Sequence, residues 1–387
     1  MASIKIYHTA DVHLGMTYTQ YPKNISTALK DVRFTTLKNC VEKANNSQCD
    51  LMIIAGDLFD KVNVKESIIK KAAEILATFS GPVAILPGNH DFLSSEKRHL
   101  WQIFSTYTDS KTILLTEKKP YSLLPHFDLP VALYPAPCHK RHSSQHQIEW
   151  MENTPNTQED IFHIGVAHGA ISNTISGKEG HYFPMNPNEL FSHDKDFWLM
   201  GHIHTPTTIK DPLSNKFVSY PGTPEPDGFD CSHPGYAQIL TANLVDKSVT
   251  IESETTGYYQ FSERFQDFNS TQNLEHFWEL LPQLDKNRCL LSLTLSGSLP
   301  QLTYESLFQH IETNIYSDVS YLKVSSDDLK ISIDPQQLEK YYEKDSLPYN
   351  LLKNLLEASV SETEYPQPTN EETTQLAYSW MREFYAD

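Results

Sequence analysis

The chain has 387 residues, 39% hydrophobic and 21% charged, which is too long for one small domain and too apolar for a disordered chain. Its five Cys (Cys40, Cys49, Cys138, Cys231, Cys289) are scattered without a CxxC pair, so a disulfide scaffold or a thiolate zinc site is not expected. No apolar run reaches the roughly 18–20 residues of a membrane span, and the start MASIKIYHTADVHLG lacks the regions of a secretion leader, so a cytoplasmic protein with no membrane partner is expected.

Charge divides unevenly along the chain. Residues 1–245 carry a net −4 and hold 15 of the 17 His, whereas residues 246–387 carry −14. The N-terminal part therefore concentrates metal-capable ligands and the C-terminal part is an acidic body. Global acidity argues against a free-standing, charge-driven nucleic-acid binder, but not against one that recruits metal ions or a basic partner.

In chain order, short apolar runs bounded by Gly, Pro and Asp predict buried strands at Ile4–His8, Leu51–Ala55, Val83–Leu86, Val131–Tyr134, Phe162–Val166, Phe197–Met200 and Phe217–Tyr220. Ile25–Ala44 and Val64–Phe79 have the three- and four-residue apolar spacing of helices between the first three strands. Such alternation defines a layered α/β domain. The later strands lie close together without long helices, which predicts a more antiparallel second half. His139–Asp160 is polar and reads as a surface excursion. From about Gly257 the composition changes. A strand (Leu290–Leu295), a helix (Tyr304–Ile315) and a strand (Val319–Val324) predict a small α/β unit. After Asp334–Pro335 the chain reads as helical, with stripes at Leu351, Leu352, Leu355, Leu356 and, beyond the linker Tyr365–Thr369, at Ala377, Trp380, Met381, Phe384. The expected domains are 1–256, 257–333 and 334–387.

Five motifs fall at strand ends: Asp11-Val12-His13, Gly56-Asp57-Leu58-Phe59-Asp60, Gly88-Asn89-His90-Asp91, His168-Gly169 and Gly201-His202-Ile203-His204. Each is open to a bland reading alone: D-x-H or GD as turn chemistry, His168 as a core histidine. Their joint occurrence in this order is not, because the carboxyl ends of strands converge on one crevice. Asp, Asn and His are O/N ligands suited to Mn²⁺, Fe or Zn²⁺. Seven side chains with one shared carboxylate suffice for two ions.

The ordered set D-x-H, GD-x-x-D, GNHD, H, GH-x-H resembles that of the calcineurin-like metallophosphoesterases. The wording "YHTADVHLG", "AGDLFD", "LPGNHD" and "MGHIHTP" is most similar to the SbcD-type nuclease subunits of DNA double-strand-break repair. The resemblance is strong over residues 1–245 and weaker over the small unit that follows, which would correspond to that family's DNA-capping domain. It implies an α/β fold, a two-sheet sandwich flanked by helices, and two divalent metal ions, usually Mn²⁺. It places Asp11, His13 and His204 on one ion, Asn89, His168 and His202 on the other, and Asp57 between them. Ions about 3.5–4 Å apart would activate a hydroxide and clamp both oxygens of an in-line displacement. His90 is not a ligand in the family pattern and is assigned to the leaving oxygen. Asp60 is expected to orient His90, with Asp91 as the other candidate.

One departure is the loop Tyr220–Asp230, rich in Pro and acid where basic or amide residues would suit a DNA backbone. His233 reads as a loop residue, and His181–Pro184 as structure or cleft lining. Three functions compete: a DNA exo/endonuclease subunit, a phosphatase or phosphodiesterase for non-DNA substrates, and a scaffold that has lost activity. All seven ligand positions are filled, which disfavours the scaffold. A monoester dianion calls for an Arg fork, yet Lys61 follows Asp60 and Phe92–Leu93 follow Asp91, which favours a diester. The family resemblance also implies an SMC-like coiled-coil ATPase partner held by the C-terminal helices, and leaves homodimerisation open.

Overall fold

The strands of the first part run, in chain order, β1 (Ser3–Thr9), β2 (Leu51–Ala55), β3 (Val83–Leu86), β4 (Thr112–Leu114), β5 (Tyr121–Ser122) and β6 (Val131–Ala136). They continue with β7 (Phe162–His168), β8 (Phe197–Gly201), β9 (Thr207–Lys210), β10 (Phe217–Tyr220), β11 (Tyr236–Asn243) and β12 (Val249–Thr255). They form two six-stranded sheets, ordered β12-β11-β1-β2-β3-β4 and β5-β6-β7-β8-β10-β9. This computed structural model describes residues 3–94, 99–152, 160–171, 182–268, 287–332 and 342–358, with positions 154, 156, 277, 338, 373, 374, 376–378, 380 and 381. Two compact units emerge, Met1–Gln260 and Phe261–Asp387. The expected boundary at 333/334 falls outside the described residues.

The strands alternate between two cores because successive side chains point to opposite faces. Ile4 and Ile6 of β1 and Leu51 and Ile53 of β2 meet Leu133, Ile164 and Leu199 of the other sheet. Tyr7, Met52, Ile54 and Ile85 face outward, under helices α1 (Lys23–Asn46), α2 (Glu66–Leu76) and α3 (Leu100–Ser105). Trp198, Met200, Val218 and Tyr220 make a third core on the outer side of the second sheet. The architecture is the two-sheet, helix-flanked α/β fold expected. Among the described residues no helix is long and apolar enough to cross a membrane.

The expectation of more antiparallel pairing among the later strands, from Phe197 to Ile251, is met. β6–β7–β8–β10 pair in parallel, and the antiparallel strands are β5 and β9 at the edges of that sheet and β11–β12, which return to the first sheet beside β1. The short connections from β9 to β10 and from β11 to β12 suit antiparallel neighbours, whereas parallel pairs need a longer crossover.

In the second unit β13 (Gln260–Phe268), β14 (Cys289–Pro300) and β15 (Tyr321–Ser332) form one sheet. β14 and β15 are parallel and joined through the helix Gln301–His310, which continues as a π-helical turn over Ile311–Ile315. Leu291, Leu293, Leu295, Leu307 and Ile311 form its core. Further on, the helix Leu347–Ala358 packs Tyr349 and Leu352 with Leu338 and Tyr378. The linker Tyr365–Thr369 and Phe384 lie outside the described residues.

Candidate metal centre and active site

Register brings the motifs together. β1 pairs with β2 through Thr9↔Ile54, and the ladder continues past both strands: Asp11 N donates to Gly56 O at 3.1 Å, His13 N to Asp57 O at 3.0 Å and Leu14 N to Leu58 O at 2.9 Å. β2 ends beside β3 at Ala55↔Leu86, and β7 ends beside β8 at His168↔Gly201. All these ends are carboxyl ends on the same edge of the sandwich. Asp11, His13, Asp57 and His202 have φ of 55°, 49°, 53° and 100°, each costing of order 1–3 kcal/mol. The backbone thus bends left-handedly where it turns its side chains inward. Glycine permits the closeness: a Cβ on Gly56 would stand 2.0 Å from His168 Nδ1, and one on Gly88 2.2 Å from Asp57 Oδ1.

The seven candidate ligands do converge. Asp57 lies between two sets, with Oδ2 3.3 Å from His168 Nε2 and 3.8 Å from His13 Nε2. On one side Asp11 Oδ1 is 4.0 Å from His13 Nε2 and 3.8 Å from His204 Nε2. On the other, Asn89 Oδ1 lies 2.9 Å from His168 Nε2 and 3.2 Å from His202 Nδ1. Asp11, His13, Asp57, Asn89 and His168 are buried.

The chemistry of this donor set fits divalent cations. Among the described residues neither buried ring nitrogen of His13 has a hydrogen-bond partner, which is costly unless a cation accepts a lone pair from the ring. His168 donates Nδ1–H to Ala55 O at 2.9 Å, leaving Nε2 aimed at Asp57 and Asn89, the orientation typical of a metal-bound imidazole. Burial opposes charge on His168, yet the Asp57 carboxylate overrides it and lifts the pKa to about 9. Burial opposes ionisation of Asp57 too, but the surrounding imidazoles, His168 first, hold it well below the usual carboxylate range. Burial lowers His202 to about 3. Cys138 approaches only His168 O, and burial raises its thiol well above the usual range, so it remains a thiol.

His90 is half-buried beside Asp57, to which its backbone N–H donates at 2.9 Å. Its ring Nδ1 donates to Asp60, but to the backbone carbonyl, at 2.9 Å. This differs from the expectation of a carboxylate orienter: Asp60 Oδ1 instead lies 3.8 Å from His13 Nδ1. Since a carbonyl can only accept, Nδ1 carries the proton and Nε2 is the nitrogen available for chemistry. Asp91 does not face His90 either. Its carboxylate accepts from Gly88 N at 2.7 Å and Phe59 N at 3.0 Å, tying the third loop to the second.

Several supporting residues escape sequence reasoning. Asp227 Oδ2 lies 3.3 Å from His204 Nδ1. Burial disfavours charge on both partners, but their contact outweighs it, lowering Asp227 and raising His204 to about 9. Arg33, 1% exposed on α1, donates to Tyr18 Oη at 2.6 Å, to Val12 O at 2.7 Å and to Glu225 O at 3.3 Å, with Asp227 Oδ2 at 3.9 Å. The acid-rich loop thus turns its charges inward: Glu225 accepts from Thr36, Tyr258 N and Tyr259 N. His233 donates Nε2–H to His204 O at 2.6 Å, a supporting contact. Tyr182 places its ring 5.1 Å from that of His202, while His181 is outside the described residues. The stretch after β6 begins as a wall of the site, since Asn89 Nδ2 donates to Arg141 O at 3.3 Å.

Fold and ligand set together are those of a phosphoesterase family. The sequence profile of the calcineurin-like phosphoesterases matches residues 4–206, and the chain belongs to that family, whose members use divalent metals. The chain is 26% identical over 235 residues to the uncharacterized metallophosphoesterase YhaO of Bacillus subtilis, covering 57% of this chain and 53% of that protein. It is 27% identical over 237 residues to the DNA double-strand break repair protein Mre11 of Archaeoglobus fulgidus, covering 57% and 50%. The matched region therefore spans about half the length of these relatives. Among solved structures, TT1561 of Thermus thermophilus superposes with a TM-score of 0.41 and 12% identity, over 64% of this chain and 98% of that one.

Proposed function

We propose that this metallophosphoesterase is a DNA nuclease, hydrolysing phosphodiesters with two divalent ions, Mn²⁺ first among them, as the nuclease subunit of an SbcCD-like repair or DNA-defence complex. The observation that carries the diester reading is Arg33. It is the arginine set directly behind the Asp11–His13 loop, yet its guanidinium is buried and committed to Tyr18, Val12 and the 225–227 loop. No fork is left there for a monoester dianion. The similarity to Mre11 supports DNA as the diester.

In this reading Asp11, His13 and His204 hold one ion, Asn89, His168 and His202 the other, and Asp57 both. When bound, the ions supply a nucleophile at neutral pH and neutralise charge on the phosphoryl oxygens. His90, its Nδ1–H fixed on Asp60 O, presents Nε2 to the leaving oxygen, and in its imidazolium form Nε2–H is the proton or hydrogen-bond donor there. Asp227 holds the His204 ring in place, and Asp91 holds the His90 loop against the Asp57 loop. The DNA and an SMC-like ATPase are the proposed partners.

The alternative, a phosphatase or phosphodiesterase acting on non-DNA substrates, is favoured by one feature: Arg141, an exposed residue whose backbone carbonyl accepts from Asn89 Nδ2. Digestion of end-labelled single- and double-stranded DNA with Mn²⁺, beside p-nitrophenyl phosphate and bis(p-nitrophenyl) phosphate, separates the two. DNA products with weak monoester turnover are expected. Monoester turnover without DNA products would overturn the nuclease reading.

A further inference from the structure

Beside the ligand set lies a groove that the hydrolytic residues leave unused. It encloses about 300 Å³ over a floor of Phe34, Val64 and Ile68, with Lys30, Lys61 and Lys65 around it. Two of its lining residues follow site residues closely along the chain. Gly15 lines it two residues after His13, and Lys61 follows Asp60, whose Oδ1 lies 3.8 Å from His13 Nδ1.

The charge here runs against the rest of the chain, whose net is −18. Lys30 and Lys65 are exposed and enter no ion pair among the described residues. The carboxylate next to Lys65 along the chain, Glu66, accepts from Tyr107 Oη at 2.7 Å. The floor is half-buried and packs on the core beneath α1 and α2, and Lys71 Nζ stands 4.0 Å from the centroid of the Phe34 ring. An apolar floor within a ring of ammonium groups matches a nucleotide, whose base seeks apolar or aromatic contact and whose phosphates seek cations. The volume is at the small end of ligand sites, about 300–1,000 Å³, and a paired duplex does not enter a space of that size.

Resting on the DNA reading above, we propose that this groove holds one unpaired nucleotide next to the scissile phosphate, so that the enzyme engages DNA as a single strand on this side of the cut. The lysines contact its backbone phosphates, and the Phe34–Val64–Ile68 floor receives the base.

The test is steady-state cleavage of a single-stranded oligonucleotide by Lys30→Ala/Lys65→Ala across a salt series. Lys61 is left in place so that Asp60 and His13 are undisturbed. KM is expected to rise roughly tenfold with kcat retained, and the slope of log KM on log salt to fall by about 1.4, at ~0.7 for each lost single-strand contact. Lys30→Arg/Lys65→Arg should restore both. An unchanged KM and slope, with wild-type DNA cleavage present, overturns the groove alone. Wild-type turnover of bis(p-nitrophenyl) phosphate without binding or cleavage of the oligonucleotide overturns the DNA reading, and the groove assignment with it.

Discussion

Asp57 and Asp227 are both carboxylates beside histidines, but their positions give them different consequences. Asp57 Oδ2 faces His13 and His168 at once, so Asp57→Ala removes an oxygen from both proposed ion positions. Metal-dependent hydrolysis should vanish while circular dichroism stays native, and the loss should exceed that of His13→Ala. Retained Mn²⁺-dependent turnover in Asp57→Ala would remove the basis of the metal assignment. Asp227 instead faces one proposed ligand, His204, through Nδ1 at 3.3 Å, with Arg33 3.9 Å away. Asp227→Asn should therefore weaken metal affinity by about 10–100-fold, the usual scale for such an outer partner, and activity should return at high Mn²⁺. Metal titration of activity distinguishes this from a fold defect, which added metal would not repair. The ligands were legible because each sits next to an apolar strand in a short motif. Asp227 was not, since its meaning comes from a contact across 23 residues of sequence. Arg33 lies in a helix outside every motif, and its role comes from its guanidinium reaching Val12 O.

Strand ends and the loops leaving them form the next scale. The loop after β3 must cross directly over Asp57, and Gly88 is what allows it: an added Cβ would stand 2.2 Å from Asp57 Oδ1 and 2.4 Å from Asp57 N, neither of which can move freely. Gly88→Ala is thus expected to displace the His90 N–H bond to Asp57 and lower kcat more than tenfold, a figure of the order seen for misplaced acid–base groups, measured beside an unchanged helix content. β1 itself carries a titratable group in the sandwich. His8 is fully buried, its Nδ1 3.3 Å from Gln238 Oε1, and burial lowers its pKa to about 3. The unfolded chain takes up this proton near pH 6.5, the folded one does not. Stability from His8 is therefore complete above pH 6.5 and is lost as pH falls towards 3, at about 1.4 kcal/mol per pH unit. His8→Leu should remove that slope in urea titrations at pH 7, 5.5 and 4.5, since Ser219 still donates to Gln238 Oε1. A parallel acid dependence in variant and wild type would show the proton is taken up elsewhere. Strands buried on both faces, such as β2 and β3, were legible to the residue. β9 and β12, with alternate residues exposed, and the short β4 and β5 gave too little periodic signal to be seen.

At the scale of the whole molecule the proposed ATPase partner bears on the acidic C-terminal part. With −14 on residues 246–387, it offers no general attraction to DNA, and an SMC-like ATPase would supply the basic surface. If such a partner binds here, exposure separates the residues free to meet it from those packed inside the unit. Tyr378 is 4% exposed and packs with Tyr349 and Leu352, and Ala377 and Leu356 lie against the same cluster. Removing residues 366–387 would strip this core, so loss of partner binding in such a truncation would report unfolding as readily as a lost contact. Trp380, in contrast, is 58% exposed, and Leu351 on the helix Leu347–Ala358 is 37% exposed. Exposed aromatic and apolar anchors of this kind concentrate binding energy in interface cores, a Trp typically contributing about 2 kcal/mol or more. Trp380→Ala together with Leu351→Ser should therefore abolish co-purification with a coiled-coil ATPase while the melting profile and Mn²⁺-dependent cleavage of short DNA remain those of the wild type. Undiminished co-purification of that double variant would show that the C-terminal segment serves its own unit and that an ATPase, if bound, is held elsewhere.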